Sequence, residues 1–247
     1  MESSKTDTYS HAQFLAATAD HSGDWLCALP ITQCGLKLDN EAIRTAVALR
    51  LGLDLGAPHA CRCGTLVDAN GQHAFVCKHA PGRMMRHHAL NDVVTRALNR
   101  AAIPASKEPI GLSRDDGKRP DGMTLIPWQS GKLLIWDVTV ISTLASSYVS
   151  LSSQEKGKAA ELAATRKEDK YSCLSRTYTF QPLAFENCGA MNESAYDFFR
   201  TVGRKITEVT GEKRETSFLF QRLSVSLQRF NSILYKDTFH VLPEPDL

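Results

Sequence analysis

The chain reads as an α/β protein, a mixed sheet flanked by helices, on three observations. The run Leu133-Leu-Ile-Trp-Asp-Val-Thr-Val-Ile141 is mostly apolar on both faces, as a strand at the centre of a covered sheet must be. Helical and strand patterns alternate between residues 86 and 185. Two long stretches with apolar residues at helical spacing close the chain.

Taken in order, residues 11–29 predict a helix. Phe14, Leu15, Ala19, Trp25, Leu26 and Leu29 form its imperfect apolar face, with a break at Gly23. Asp39 precedes a helix over 40–51 with Ile43, Ala46, Val47 and Leu51 inward, because a short carboxylate at the N-cap accepts the orphan amides of a first turn. Residues 86–101 predict a helix with Leu90, Val93, Val94, Ala97 and Leu98 inward, ended by Pro104. A short strand over 107–112 is followed by strands at 121–127 and 132–141, a hairpin turning near Gln129-Ser-Gly131. Ser152-Ser-Gln-Glu155 has capping-box spacing and opens a helix to about Leu174. The next strand, 178–185, contains Pro182, which cannot donate to a ladder and so fits a sheet edge or bulge. The last helices cover 192–210, with Ala195, Phe198, Phe199, Val202, Ile206 and Val209 inward and Gly211 as the stop, and 217–235, with Leu219, Leu223, Leu227, Phe230, Ile233 and Leu234 inward.

A chain of 247 residues accommodates one good-sized core and a small attached module. The expected division is an N-terminal helical segment (1–56), a small cysteine-rich module (57–82) and an α/β core with the C-terminal helices (83–240). With 43% hydrophobic and 23% charged residues, disorder is expected only in the first ten and last five positions. No stretch reaches 18 apolar residues, which speaks against a membrane span. The opening Met1-Glu-Ser-Ser-Lys5 lacks an apolar signal core. Seven cysteines, odd in number and partly clustered, suit reduced thiols around a metal better than a secreted disulfide framework, so an intracellular compartment is expected.

The formal charge of +2 is uninformative about nucleic acid, but its distribution is less so. Residues 77–119 carry Lys78, His79, Arg83, Arg86, His87, His88, Arg96, Arg100, Lys107, Arg114, Lys118 and Arg119 against Asp92, Glu108, Asp115 and Asp116. A basic excess of this kind suits phosphate contact, and it also fits a solvated face with no partner.

Cys61, Cys63, His73 and Cys77 have one, nine and three residues between them, and His79 is a fifth candidate. Thiolates with an imidazole suit zinc in a tetrahedral site, and Gly64 permits the sharp turn that a C-x-C pair needs. Four filled positions imply a structural ion, needed for folding in a segment so poor in apolar residues. Cys27, Cys34, Cys173 and Cys188 read as plain thiols.

Asp121 begins one strand of the hairpin, and Asp137 sits inside the apolar strand that follows. An acid there is costly without a partner. Paired strands can bring both carboxylates to one end of the sheet, where hard oxygens hold Mg²⁺ or Mn²⁺, with Glu108 as a possible third acid. Asp137 could equally hydrogen-bond a neighbour, and Asp121 could be a turn acid after Pro120. A nuclease also wants a lysine to stabilise charge on the phosphate. Two residues after the second acid stands Thr139, and Lys167 and Lys170 on the following helix are the candidates instead, ahead of Lys156 and Lys158.

Cys61-x-Cys63-Gly, Gly71-x-His73-x₃-Cys77, Arg86-His87, Arg119-Pro-Asp121-Gly, Trp136-Asp-Val-Thr-Val140, Arg166-Lys-Glu-Asp-Lys-Tyr171 and Phe180-x-Pro-Leu-Ala-Phe-Glu186 together resemble the C-terminal part of non-LTR retrotransposon polyproteins of the R2-like kind. The resemblance covers roughly residues 25–235. It implies a CCHC zinc knuckle followed by a restriction-endonuclease-like core of the PD-(D/E)xK superfamily that nicks target DNA to prime reverse transcription. It implies a catalytic lysine displaced into the next helix, placed here on Lys167 with Lys170 second. Arg86 and His87 match the family's Arg-His pair and, with His88 and Arg119, are the expected nucleic-acid contacts. DNA, and possibly RNA, is then the partner, and the nucleus the expected location. No Y/F-x-D-D polymerase motif occurs, and residues 1–56 would correspond to sequence just after the polymerase. The alternative is a remnant that binds nucleic acid, or is merely structural, without cleaving.

Overall fold

The computed structural model describes residues 2–112 and 119–239, with side chains from residue 8 onward. Arg114, Asp115, Asp116 and Lys118 lie outside the described residues, as do Met1 and the last five positions, whereas residues 2–10, for which disorder was expected, belong to a helix. The chain is a mixed α/β protein with a four-stranded mixed sheet flanked by helices. Two N-terminal helices, α1 (Glu2–Ala17) and α2 (Asn40–Leu51), precede a short antiparallel ribbon of β1 (His59–Ala60) and β2 (Leu66–Val67). Then come α3 (Gly82–Arg100), β3 (Ala105–Lys107), β4 (Gly122–Thr124) and β5 (Leu133–Ile141). The chain ends with α4 (Val149–Ser152), α5 (Lys158–Tyr171), β6 (Tyr178–Glu186), α6 (Glu193–Thr210) and α7 (Glu215–Lys236).

The sheet order is β3-β4-β5-β6, antiparallel except for the parallel pair β5 and β6. Parallel neighbours require a crossover, and α4 and α5 supply it. Pro182 sits on β6, which is an edge strand, where its missing donor does least harm. The hairpin turns at Ser130 and Gly131, with φ of 51° and 74°, between the bridged residues Gln129 and Lys132. Two successive positive φ values match the right-handed twist of a hairpin.

Side chains of β5 alternate between two layers. Leu134, Trp136 and Val138 enter the main core, where Leu90, Val94 and Leu98 of α3 meet Phe198, Phe199 and Ile206 of α6 and Leu219, Leu223 and Leu227 of α7. On the other face Ile141 and Ala184 pack on Ala160, Ala163 and Ala164 of α5. Asp137, between Trp136 and Val138, therefore belongs to the α5 layer.

Several local expectations fail for tertiary reasons. The first helix ends at Ala17, the chain turns, and Asp24–Leu26 forms only a 3₁₀ turn. The Ser22 hydroxyl donates to the Ala17 carbonyl at 2.9 Å within that turn. Small residues do the burying: Ala12 packs on Leu144 and Val149 beside α4, whereas Phe14, Leu26 and Leu29 are exposed. Asp39 does cap α2, accepting from the Ala42 amide at 2.7 Å. The buried face of α2 is Ala42, Thr45, Ala46, Ala48 and Leu49, however, leaving Ile43 and Leu51 exposed. Val209, in the last turn of α6, is also exposed.

The proposed capping box at Ser152 is not used. Ser152 is buried at the end of α4, and α5 starts at Lys158 after Gly157, whose φ is 78°. An acceptor for the α5 amides comes from across the sheet instead: Glu186, at the end of β6, takes the Ala160 N–H at 3.3 Å. Burial pushes that carboxyl's pKa up. Strand β3 covers only the first residue of its expected span, because the chain leaves the sheet at Glu108 with φ of 50°.

The ribbon and its neighbours do not stand apart from the rest. Cys61, Val67, Ala74, Phe75 and Cys77 share one apolar cluster with Ala48, Leu49 and Leu55 from the N-terminal segment and Leu234 and Tyr235 of α7. Among the described residues, no helix is long and apolar enough to cross a membrane.

Candidate metal centre and acidic site

Cys61, Cys63, His73 and Cys77 converge, their ligand atoms all lying within 4.8 Å of one another. Local backbone explains the convergence. The Gly64 N–H bonds the Cys61 carbonyl at 2.8 Å and the Cys61 N–H bonds Thr65 O at 2.9 Å, so the C-x-C pair folds into a tight turn with Gly64 at φ 85°. The second half is a 3₁₀ turn, Gln72–Phe75, opened by Gly71 in the left-handed region, and the Cys77 N–H returns to His73 O at 2.9 Å. Cys61 Sγ and Cys77 Sγ are 3.9 Å apart, and Cys63 Sγ lies 3.1 Å from His73 Nε2. Two thiolates each about 2.3 Å from one zinc in a tetrahedron stand roughly 3.8 Å apart, so the donors fit a metal of that size.

The thiols differ electrostatically. Hydrogen bonding from Thr65 lowers the Cys63 pKa to about 6, whereas burial raises that of Cys61. His79 is exposed and outside the cluster. The remaining four cysteines are free thiols: Cys27, Cys34 and Cys173 exposed, and Cys188 half-buried.

The second constellation lies where β4 ends beside β5. The Asp121 N–H bonds Trp136 O at 2.9 Å, continuing the ladder, and its carboxylate Oδ2 then accepts the Val138 N–H at 2.6 Å in place of a further β4 carbonyl. From α3, His87 Nε2 reaches the same Oδ2 at 2.9 Å. One side chain locks this corner: Asn91, one turn after His87, donates to Asp121 O at 3.0 Å and accepts from Trp136 Nε1 at 2.8 Å. Gly122 is required next to Asp121, because a Cβ there would lie 2.0 Å from the Trp136 ring. Gly122→Ala should therefore cost at least about 2–3 kcal/mol by displacing Trp136 from the core. Chemical denaturation measures this, and an unchanged midpoint would contradict it.

Asp137 is 3% exposed and fully engaged by α5. Lys167 Nζ lies 2.5 Å from its Oδ1, Lys170 Nζ 3.7 Å from its Oδ2, and the Tyr171 hydroxyl 2.7 Å from the same Oδ2. That hydroxyl also lies 2.9 Å from Arg119 O, and with one proton it donates to one oxygen at a time. Lys170 Nζ donates to it at 2.7 Å. Thr139 is on the same face of β5 as Asp137 and lines an open cleft together with Lys167.

The hydrogen bond to Asp121 raises the His87 pKa above its ordinary 6.5 despite partial burial. The imidazolium–carboxylate pair thus contributes its full stability below about pH 6.5 and loses it as pH climbs through the raised value. Asp121→Asn should shift the His87 titration to lower pH in NMR spectra; an unmoved midpoint would show that Asp121 is not its partner.

Glu108 is exposed, its N–H bonds the Asp121 carbonyl at 3.0 Å, and its carboxylate is ion-paired with Arg119. His88 is exposed, its ring 5.6 Å from that of His87. Arg86 is 2% exposed, and neither Nε nor Nη1 has a partner among the described residues. Burial, with Arg83 nearby, lowers its pKa to about 10. It lines an open cleft of about 810 Å³ together with Lys78, Arg83, His87, Thr139 and Lys167. An orphaned buried guanidinium is costly.

Sequence reasoning missed Tyr171 and Asn91. Tyr171 follows Lys170 directly, and Asn91 is four residues after His87 on one helical face, a spacing that could have flagged it. Compared with known proteins, the chain matches no family model and no curated protein.

Proposed function

We propose that this chain is a metal-dependent DNA endonuclease of restriction-endonuclease-like (PD-(D/E)xK) architecture, derived from a non-LTR retrotransposon and acting on nuclear DNA. The observation that carries this reading is the pairing of Asp137 with Lys167 on a neighbouring helix, one strand away from Asp121. Supporting it, Lys167 is ion-paired with Asp137, and the strand that carries Asp137 pairs with β4, at whose start Asp121 stands.

Asp121 and Asp137 would hold Mg²⁺ or Mn²⁺. Two carboxylates suffice for an ion that keeps several waters, and among the described residues no hydrogen bond or ion pair engages Asp121 Oδ1. When bound, such an ion supplies water activation and charge neutralisation at the phosphate. Lys167 would then turn from Asp137 Oδ1 toward the attacked phosphate and stabilise its charge. Lys170 and Tyr171 keep the Asp137 carboxylate oriented. Arg86, Arg83 and Lys78 would take adjacent phosphates of the strand. Cys61, Cys63, His73 and Cys77 would hold a structural zinc.

The second reading is a nucleic-acid-binding remnant without cleavage. What favours it is that both Asp137 oxygens already have cationic or hydroxyl partners, which a metal would have to displace. Supercoiled-plasmid nicking with Mg²⁺ or Mn²⁺ separates the two. Nicking that disappears in Asp121→Ala, Asp137→Ala and Lys167→Ala supports the nuclease, whereas nicking that survives Asp137→Ala overturns this site. Purified protein with no zinc would overturn the knuckle.

A further inference from the structure

A second basic cleft lies on the other side of α3 from the acidic site. His87 and Arg96 are nine residues apart on that helix, half a turn around and roughly 13 Å along it. The cleft, about 560 Å³, opens between α3, α7 and residues 33–36. Val93 and Ala97 contribute to its lining, as do four guanidinium groups, from Arg96, Arg100, Arg222 and Arg229.

Acids do not balance this charge. Asp92, the acid lining the cleft among the described residues, is held by Lys107 at 2.6 Å. Arg100 is paired with Glu215. Arg229 donates to Gly35 O at 2.7 Å and Lys37 O at 3.1 Å, which fixes its position without neutralising it. Arg96 and Arg222 have no hydrogen-bond or ion-pair partner among the described residues. Arg222 is half-buried, and its burial and the Arg100 charge lower its pKa against the opposing pull of Glu215.

Guanidiniums that outnumber the carboxylates beside them suit an anion, and their forked donors match phosphate oxygens in particular. The cleft's aromatic ring, Phe230, is only 9% exposed, so no stacking platform is offered to a base. We infer that this cleft binds the phosphodiester backbone of a nucleic-acid strand at a place separate from the Asp121–Asp137 site. The inference rests on nucleic acid being the partner, not on cleavage.

Fluorescence anisotropy with a labelled single-stranded oligonucleotide, without added divalent metal, tests it. Arg96→Gln with Arg222→Gln should weaken binding about tenfold or more. It should also flatten the dependence of log affinity on log salt by about 1.4, at about 0.7 per lost phosphate contact. Arg96→Lys with Arg222→Lys should retain the wild-type slope, and thermal melting checks that both variants are folded. Unchanged affinity and slope in the glutamine variant would overturn the site. So would binding to phosphatidylserine vesicles that needs these arginines while strand binding does not. A chain that never nicks plasmid yet binds the strand through Arg96 and Arg222 would remove the nuclease reading and leave this cleft standing.

Discussion

Asp137→Asn should abolish metal-dependent nicking, by about 10³-fold or more, while the protein still folds. The carboxylate is the one group that both would ligate the metal and holds the Lys167 ammonium. Losing several kcal/mol of charge stabilisation corresponds to about three decades in rate. Stability should suffer much less, because Lys167 and Lys170 are 25% and 22% exposed and can swing into water once unpaired. The amide can still accept from Tyr171. Lys167→Ala should give a loss of about 10²–10³-fold. Lys170→Ala should cost less, since its ammonium sits at 3.7 Å and acts largely through Tyr171. Equal losses in both lysine variants would contradict this ranking.

Cys77→Ser should cost the whole chain stability, not the knuckle alone. Structural zinc contributes about 10–16 kcal/mol of apparent binding energy in small peptides, so even partial loss is large against a typical total stability. Cys77 is buried in a cluster that also holds Leu49, Leu55, Leu234 and Tyr235. Loss of the proposed ion would loosen the packing of α2 and of the end of α7 together. A loss of about 4 kcal/mol would lower the melting temperature by roughly 8–16 °C. Zinc content should fall in parallel. His79→Ala should change neither quantity, because that ring lies outside the cluster. A melting temperature unmoved by Cys77→Ser would show the ion to be dispensable.

Features set by strong local chemistry were legible in the sequence. The doubly apolar β5 run, the Gln129–Gly131 turn, the Asp39 cap and most of the α6 and α7 stripes all appear where their residue types demand. So does the cysteine–histidine cluster, since four soft ligands at close spacing leave few alternatives. What was not legible depended on partners far along the chain. Ala12 and Ala16 of α1 and Ala42, Ala46 and Ala48 of α2 are buried, whereas the larger Phe14 and Ile43 on the same helices are exposed; hydropathy alone ranks these residues the other way. The cap of α5 arrives from Glu186 on a strand not yet formed in a left-to-right reading. Asn91 is polar in a helix interior, and only Asp121 and Trp136 explain it. The proposed restriction-endonuclease-like reading rests on motif resemblance, not on any of these patterns.

The knuckle's contacts also bear on the order in which this protein matures. His59 Nε2 meets the Thr238 hydroxyl at 2.7 Å, and the Arg62 amide bonds Thr238 O at 3.2 Å. Arg62 Nε reaches Phe239 O at 2.7 Å. These contacts bridge more than 170 residues of sequence, with |i−j| of 179 and 177 for the two side-chain bonds. Closing loops of that length is slow compared with forming helices. On a growing chain, the cysteines leave the ribosome long before the segment that encloses them does. Stable metal capture should therefore come late in refolding, after the helices form, and stopped-flow zinc uptake that preceded the helical signal would contradict this.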